Sequence, residues 1–312
     1  MPLAVGPAIS ASHGLEGADV FIATLIAADR LTEQCAGAAG RLLSEAGCSP
    51  GPVEWLEPGS AATIRFEGPG SEASEALAGK IEGVDVIILP ADYREKRLLV
   101  ADMDSTMITV ECIDELADYA GLKAEVAEVT ERAMRGELDF EAALDARVAL
   151  LAGLDESAID RCREERVRLA PGARTLVRTM RAHGATCLLV SGGFTRFAEP
   201  VAREIGFDRV MANELLIENG RLTGEVRRPI VGAVAKREAL LAVATELEIG
   251  MEEVLAVGDG ANDIPMLQAA GLGIAYRAKP AARAAADGAI DHNDLTALLY
   301  AQGMMKARWI TG

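Results

Sequence analysis

The stretch Leu98-Leu99-Val100-Ala101-Asp102-Met103-Asp104-Ser105-Thr106 decides the reading of this 312-residue chain. Four apolar residues make a strand-type run, and the run ends in two acids at i and i+2. On an extended chain such residues point the same way, so both carboxyls reach one site. Neighbouring carboxylates repel unless a cation lies between them or one holds a proton, and either arrangement is chemically useful. A plain strand-ending turn would use the same residues, so the pair needs further signals before it carries a function.

Working outward, more runs of the same kind appear: CLLV (187–190), RVMAN (209–213), VLAVG (254–258) and GIAY (273–276), with helical patterns between them. Continuous apolar strands alternating with helices predict a doubly wound α/β fold, a parallel sheet covered on both faces with its functional residues just past the strand C-termini. The segment from about 111 to 170 lies between the first and second of these strands. It contains no proline, its Gly121, Gly136 and Gly153 divide it into helix-length pieces, and Phe140, Leu144, Val148 and Leu151 recur at helical spacing. It reads as a helical cap.

Two more strand ends carry chemistry. Ser191-Gly192-Gly193 delivers a hydroxyl and two glycines ahead of a helical stretch; glycines let backbone N–H groups approach an anion at a helix N-terminus, although Ser191 as an ordinary N-cap would look alike. Gly258-Asp259-Gly260-Ala261-Asn262-Asp263 gathers two acids and an amide. That set suits Mg2+, a hard ion that takes oxygen ligands and keeps waters; a polar turn or calcium loop is the alternative, but the EF-hand spacing is missing. Lys236 stands at the start of a helix and, taken alone, reads as a solvated lysine. Together the pieces supply a carboxylate nucleophile, a second carboxyl, a metal site and cationic groups for phosphate oxygens, the parts of phosphoryl transfer through an aspartyl phosphate.

Composition sets the limits. Lys plus Arg is 31 and Asp plus Glu is 48, a formal charge of −17, with half the residues hydrophobic. A general nucleic-acid binder needs a basic face, and wholesale disorder needs far less apolar surface; both are excluded. No apolar run approaches the roughly 18 residues of a membrane span, and the opening residues place no basic residue ahead of an apolar segment, so a cytoplasmic protein without a membrane partner is expected. Cys35, Cys48, Cys112, Cys162 and Cys187 have no CxxC spacing and read as reduced, buried thiols. Residues 1–90 hold four cations against twelve acids. Their pattern (strand 20–27, helix 31–46, strands 53–56 and 62–66, helix 72–81, strand 84–89) is a small split-βαβ domain, with the charged stretch 92–97 as linker to a second domain over 97–312.

In order, DMDST (102–106), SGG (191–193), Lys236 and GDGAND (258–263) resemble the four motifs of the haloacid dehalogenase-like superfamily of phosphohydrolases, most closely its phosphoserine phosphatase branch. The similarity runs over about 97–294 and includes Val110-Glu111-Cys112, Met134-Arg135-Gly136, Phe140, Arg147-Val148 and Pro171-Gly172. The resemblance implies Mg2+-dependent hydrolysis of O-phospho-L-serine, the last step of serine biosynthesis, with Asp102 as nucleophile and Asp104 as acid and base. It implies Mg2+ on Asp102, the Asp104 backbone carbonyl and Asp259, with Asp263 beside them. Ser191, Gly192, Gly193, Lys236 and Asn262 would surround the phosphate. Glu111 would meet the substrate ammonium and Arg147 its carboxylate, with Met134 and Phe140 in the same pocket. Phosphoserine needs one anion and one forked cation beyond its phosphate site, and this pair supplies them; without the motifs, Glu111 would read as a helix-start acid and Arg147 as a solvated residue. Transfer to an alcohol rather than water, or a signalling receiver, are the competing outcomes. The N-terminal segment resembles ACT-like extensions on topology alone, which implies a regulatory module or an oligomerisation module of a homodimer.

Overall fold

The computed structural model describes residues 20–134 and 137–311. The N-terminal stretch runs β1 (Val20–Ala27), α1 (Glu33–Glu45), β2 (Ser49–Glu57), β3 (Ala61–Glu67), α2 (Gly70–Leu77) and β4 (Val84–Pro90). Its four strands form one antiparallel sheet in the order β2-β3-β1-β4, the βαββαβ pattern the sequence predicts. Strand alternation explains its two faces. Phe21, Ala23, Leu25, Ile64 and Phe66 pack among α1 and α2, whereas Ile26, Ala61, Ile87 and Leu89 join the core of the rest of the chain. The stretch 92–97, read as a charged linker, is anchored instead. Lys96 is buried and its Nζ donates to the Glu252 carbonyl at 2.5 Å, and Arg94 Nε donates to the Ala301 carbonyl.

Next come β5 (Leu98–Ala101), the helices α3 (Cys112–Tyr119), α4 (Lys123–Met134), α5 (Phe140–Leu150) and α6 (Ser157–Arg166), then α7 (Ala173–Ala182), β6 (Thr186–Phe194), α8 (Thr195–Ile205) and β7 (Arg209–Asn213). A hairpin of β8 (Leu215–Glu218) and β9 (Arg221–Val226) follows, and then α9 (Ala233–Glu246), β10 (Val254–Gly258), α10 (Ile264–Ala269), β11 (Leu272–Tyr276), α11 (Pro280–Ala285), β12 (Gly288–Ile290) and α12 (Ala297–Ala301). Strands β12-β11-β10-β5-β6-β7 make one parallel sheet.

The apolar runs of β5, β10 and β11 are continuous because the middle of this sheet is buried on both sides. Leu99 and Ala101 face one core with Cys187, Leu189, Leu255 and Val257. Leu98 and Val100 face the other with Leu188, Val190, Val254 and Ala256. Helix α7 buries Ala173, Leu176, Val177 and Met180, the i, i+3, i+4, i+7 stripe of a sheet-covering helix. Among the described residues, no helix is long and apolar enough to cross a membrane.

Candidate active site

Strand order places β5 between β10 and β6, so the tips singled out in the sequence lie side by side. The register continues one residue past the strand, with the Asp102 N–H donating to the Val257 carbonyl at 3.0 Å. Carboxylate oxygens of Asp102, Asp259 and Asp263 then fall within 4.8 Å of one another, all three residues buried. Lys236 is fully buried, and its Nζ donates to Asp102 Oδ1 at 2.5 Å and to Asp263 Oδ1 at 2.7 Å. A lysine that reads alone as a surface residue is therefore a buried counter-ion. Its partners are 134 and 27 residues away in sequence.

Local geometry fixes each carboxyl. Asp263 Oδ2 accepts the N–H groups of Asp259 and Gly260 at 3.2 and 3.0 Å. Asp104 Oδ1 accepts the Cys112 N–H at 3.1 Å and so satisfies a donor at the start of α3; its carboxyl is not one of the clustered three. Burial, and secondarily the Glu111 charge, push the Asp104 carboxyl up to about 7. Burial chiefly raises Asp259, to about 6, with Lys279 opposing. Asp102 is raised by burial and by Asp263, against the pull of Lys236, while the two aspartates hold the lysine's own pKa up against burial.

A cavity of about 330 Å³ opens over this floor, lined by Asp102, Asp104 and Asp259 below and by Glu111 at the start of α3 and Phe140 and Arg147 of α5. Gly192, Gly193 and Asn262 complete the wall. Glu111 is the N-cap of α3 but makes no capping hydrogen bond with its side chain, so its carboxylate is left for the cavity. Arg147, on α5, reaches the same space with Nε donating to the Ala143 carbonyl one turn back. Ser191 is fully buried, with its Oγ accepting the Gly193 N–H at 2.8 Å, and is not itself on the cavity wall. Met134 closes α4, but its side chain lies outside the described residues.

Three participants escaped the sequence reading. Lys279, three residues past β11, sits 3.5 Å from Asp259 Oδ2 and 4.0 Å from Glu111 Oε1. Looking at every strand end, not just three, would have flagged it. Asn213, at the end of β7, is buried; its Nδ2 donates to the Gly192 carbonyl at 2.8 Å and its Oδ1 accepts the Val231 N–H at 2.7 Å, tying the end of β6 to the segment that leads into α9. Ser105 donates its hydroxyl to Glu111 Oε1 at 2.9 Å.

Close approach explains Gly193. A Cβ there would lie 2.7 Å from Asp104 Oδ2 and 3.1 Å from Ser191 Oγ. Gly193→Ala is expected to fold but to push the Asp104 carboxyl aside, lowering kcat about 100-fold, since displacements near 1 Å cost that much. Steady-state kinetics beside a melting curve check it; a fully active variant would show that Asp104 tolerates the shift.

The acids Asp102, Asp104, Glu111, Asp259 and Asp263 outnumber the cations Lys236, Lys279 and Arg147 around this floor, and the clustered oxygens suit a divalent metal ion. A parallel sheet with helices α3 to α6 inserted after its β5 strand and aspartates at its strand tips fits a hydrolase class, and the chain belongs to it: the haloacid dehalogenase-like hydrolase family profile matches residues 99–268. Its relatives narrow the class. The chain is 47% identical over 264 residues to phosphoserine phosphatase SerB2 of Mycobacterium tuberculosis, covering 83% of this chain and 64% of that one. The unliganded probable phosphoserine phosphatase of Vibrio cholerae superposes with a TM-score of 0.74 at 32% identity, over 96% of this chain and 90% of that one. A phospho-aspartyl intermediate analogue of phosphoserine phosphatase gives 0.62 at 38%, over 66% and 98%. The chain spans about three fifths of the length of several curated relatives it matches.

Proposed function

We propose that the chain hydrolyses O-phospho-L-serine to L-serine and phosphate through an aspartyl phosphate on Asp102. One observation carries this reading: a single cavity joins the aspartate floor to Glu111 and Arg147, an acid and a forked cation matching the ammonium and carboxylate of phosphoserine. The relatives' names and the phospho-aspartyl structure agree with it.

Mg2+ fits the donor set, since it takes carboxylate oxygens and retains waters; Asp102, Asp259 and Asp263 would hold it, with the Asp104 carbonyl as a further donor. When bound it supplies positive charge to the phosphate oxygens. The protein's own groups do the rest. Asp102 attacks phosphorus and the phosphorus–serine oxygen bond breaks while Asp104 gives that oxygen a proton. Asp104 then takes a proton from water as the water attacks phosphorus and releases Asp102. Gly192, Gly193 and Asn262 meet the phosphoryl oxygens from the cavity wall, while Lys236, buried beneath it against Asp102, offsets charge as it spreads and Ser191 holds the Gly193 N–H from behind the wall.

A screen of small phosphate monoesters, with and without Mg2+, tests the reading; phosphoserine should rank among the best substrates and only with metal. Glu111→Gln and Arg147→Met are each expected to raise KM for phosphoserine about 10- to 100-fold, the scale of a hydrogen bond to a charged group. If either leaves KM alone, that residue does not meet the substrate. Serine and phosphate as sole products exclude transfer to another alcohol, and a phospho-protein that decays within seconds excludes a receiver.

Under the same reading, residues 97–312 form the catalytic unit with its cap over 111–170, and residues 1–90 a regulatory or dimerising module of ACT-like kind, in a cytoplasmic protein. The βαββαβ order of the N-terminal sheet supports the module, and five free cysteines support the compartment.

A further inference from the structure

We infer that Ser105 is a positioning residue that aims the Glu111 carboxylate at the substrate's ammonium. The inference rests on the proposed role of Glu111 and goes one layer behind it. Ser105 has a left-handed backbone, φ 56°, a conformation that costs a side-chain-bearing residue energy and that persists where surrounding structure enforces it, often at functional sites. Glycine would hold this turn more easily. The hydroxyl is what glycine would lack, and its partner is Glu111 Oε1 at 2.9 Å. Lys279 Nζ stands 4.0 Å from the same oxygen. Among the described residues nothing is bonded to Oε2, so one oxygen is fastened and the other is left free on a residue that lines the cavity.

The second observation is that this carboxylate has declined the nearer use. At the N-cap of α3 it could accept an N–H of the helix's first turn, yet it makes no such bond; the Cys112 N–H at the start of that turn goes to Asp104. With the helix end served by Asp104, Ser105 is the residue that fixes the Glu111 side chain. Losing the hydroxyl frees the carboxylate to rotate, so the cost should fall on substrates with an ammonium group and spare those without one.

The test uses the full chain with Mg2+ and two substrates: phosphoserine, and the phosphate ester of hydroxypropionate, which is phosphoserine without its ammonium. Ser105→Gly removes the hydroxyl and relieves the backbone, and Ser105→Ala removes the hydroxyl alone. Both are expected to raise KM for phosphoserine about tenfold and to shift KM for the ammonium-free ester less than twofold, with the melting temperature of the glycine variant at or above that of the unaltered chain. In Ser105→Gly/Glu111→Gln, KM for phosphoserine should be no higher than in Glu111→Gln, because the two act as one. Equal shifts on both substrates, or a phosphoserine KM that moves in Ser105→Ala but not in Ser105→Gly, would overturn the inference and leave Ser105 a turn residue. If Glu111→Gln raises KM and neither serine variant does, this inference alone falls; if Glu111→Gln has no effect, the role of Glu111 falls first.

Discussion

Asp102→Asn should cut turnover of phosphoserine about ten-thousand-fold or more, in line with removal of other enzymatic nucleophiles, and should abolish phosphate labelling of the protein. The amide keeps the shape and still offers Lys236 an oxygen, so the pocket survives while the proposed nucleophile does not. The melting temperature should not fall. Asp102 is buried beside Asp263 with one lysine between them, and burial together with Asp263 pushes its pKa well up, so its negative charge burdens the folded state. Residues kept for chemistry commonly cost stability in this way. Labelling or turnover retained above about a hundredth of the original rate would assign the attack to another group, with Asp104 the nearest candidate.

How much of this was legible in the sequence depends on where the signal resides. β10 and β5 coincide with their apolar runs because a strand buried on both faces has no polar positions to blur its ends, whereas β7 is the edge strand, with Val210 and Met211 exposed. β12 has only three residues, Gly288–Ile290, and offers no period to detect. The β8–β9 hairpin is different, since its signal was present: Glu218 pairs with Arg221 across Asn219-Gly220, whose φ angles are 52° and 77°. Asn-Gly between strands is the strongest short-range hairpin cue, and a search for parallel strands passes over it.

The site follows the same division. Asp102, Asp104, Asp259 and Asp263 stand out because acids at the end of an apolar run conflict with local expectation, and such conflicts mark functional sites. Lys236 does not stand out, because its burial is created by partners far along the chain. Ser105 lies inside the decisive stretch, but no spacing rule connects it to Glu111. The loop that joins them exists only once the turn at Ser105, with its N–H reaching the Val110 carbonyl, is formed.

Lys236→Met is the second large expected effect, and it concerns stability. Lys236 is completely buried against two carboxylates whose side chains are 5% and 0% exposed. Removing one partner of a buried ion pair typically costs about 3–5 kcal/mol because the other charge is left uncompensated, which for a chain of this size corresponds to a drop of about 10 °C in melting temperature. Two further readouts separate charge from packing, since methionine fills nearly the same volume. Folding already holds the Asp102 pKa above its unfolded value, and without the lysine it moves higher still. The folded variant therefore favours the protonated acid, and its deficit should shrink as pH is lowered and widen as pH rises. Mg2+ should likewise raise the melting temperature of Lys236→Met more than that of the unaltered chain, since a cation held by Asp102, Asp259 and Asp263 replaces the missing charge. A deficit independent of both pH and metal would mean that the lysine stem, and not its charge, holds this end of the sheet together.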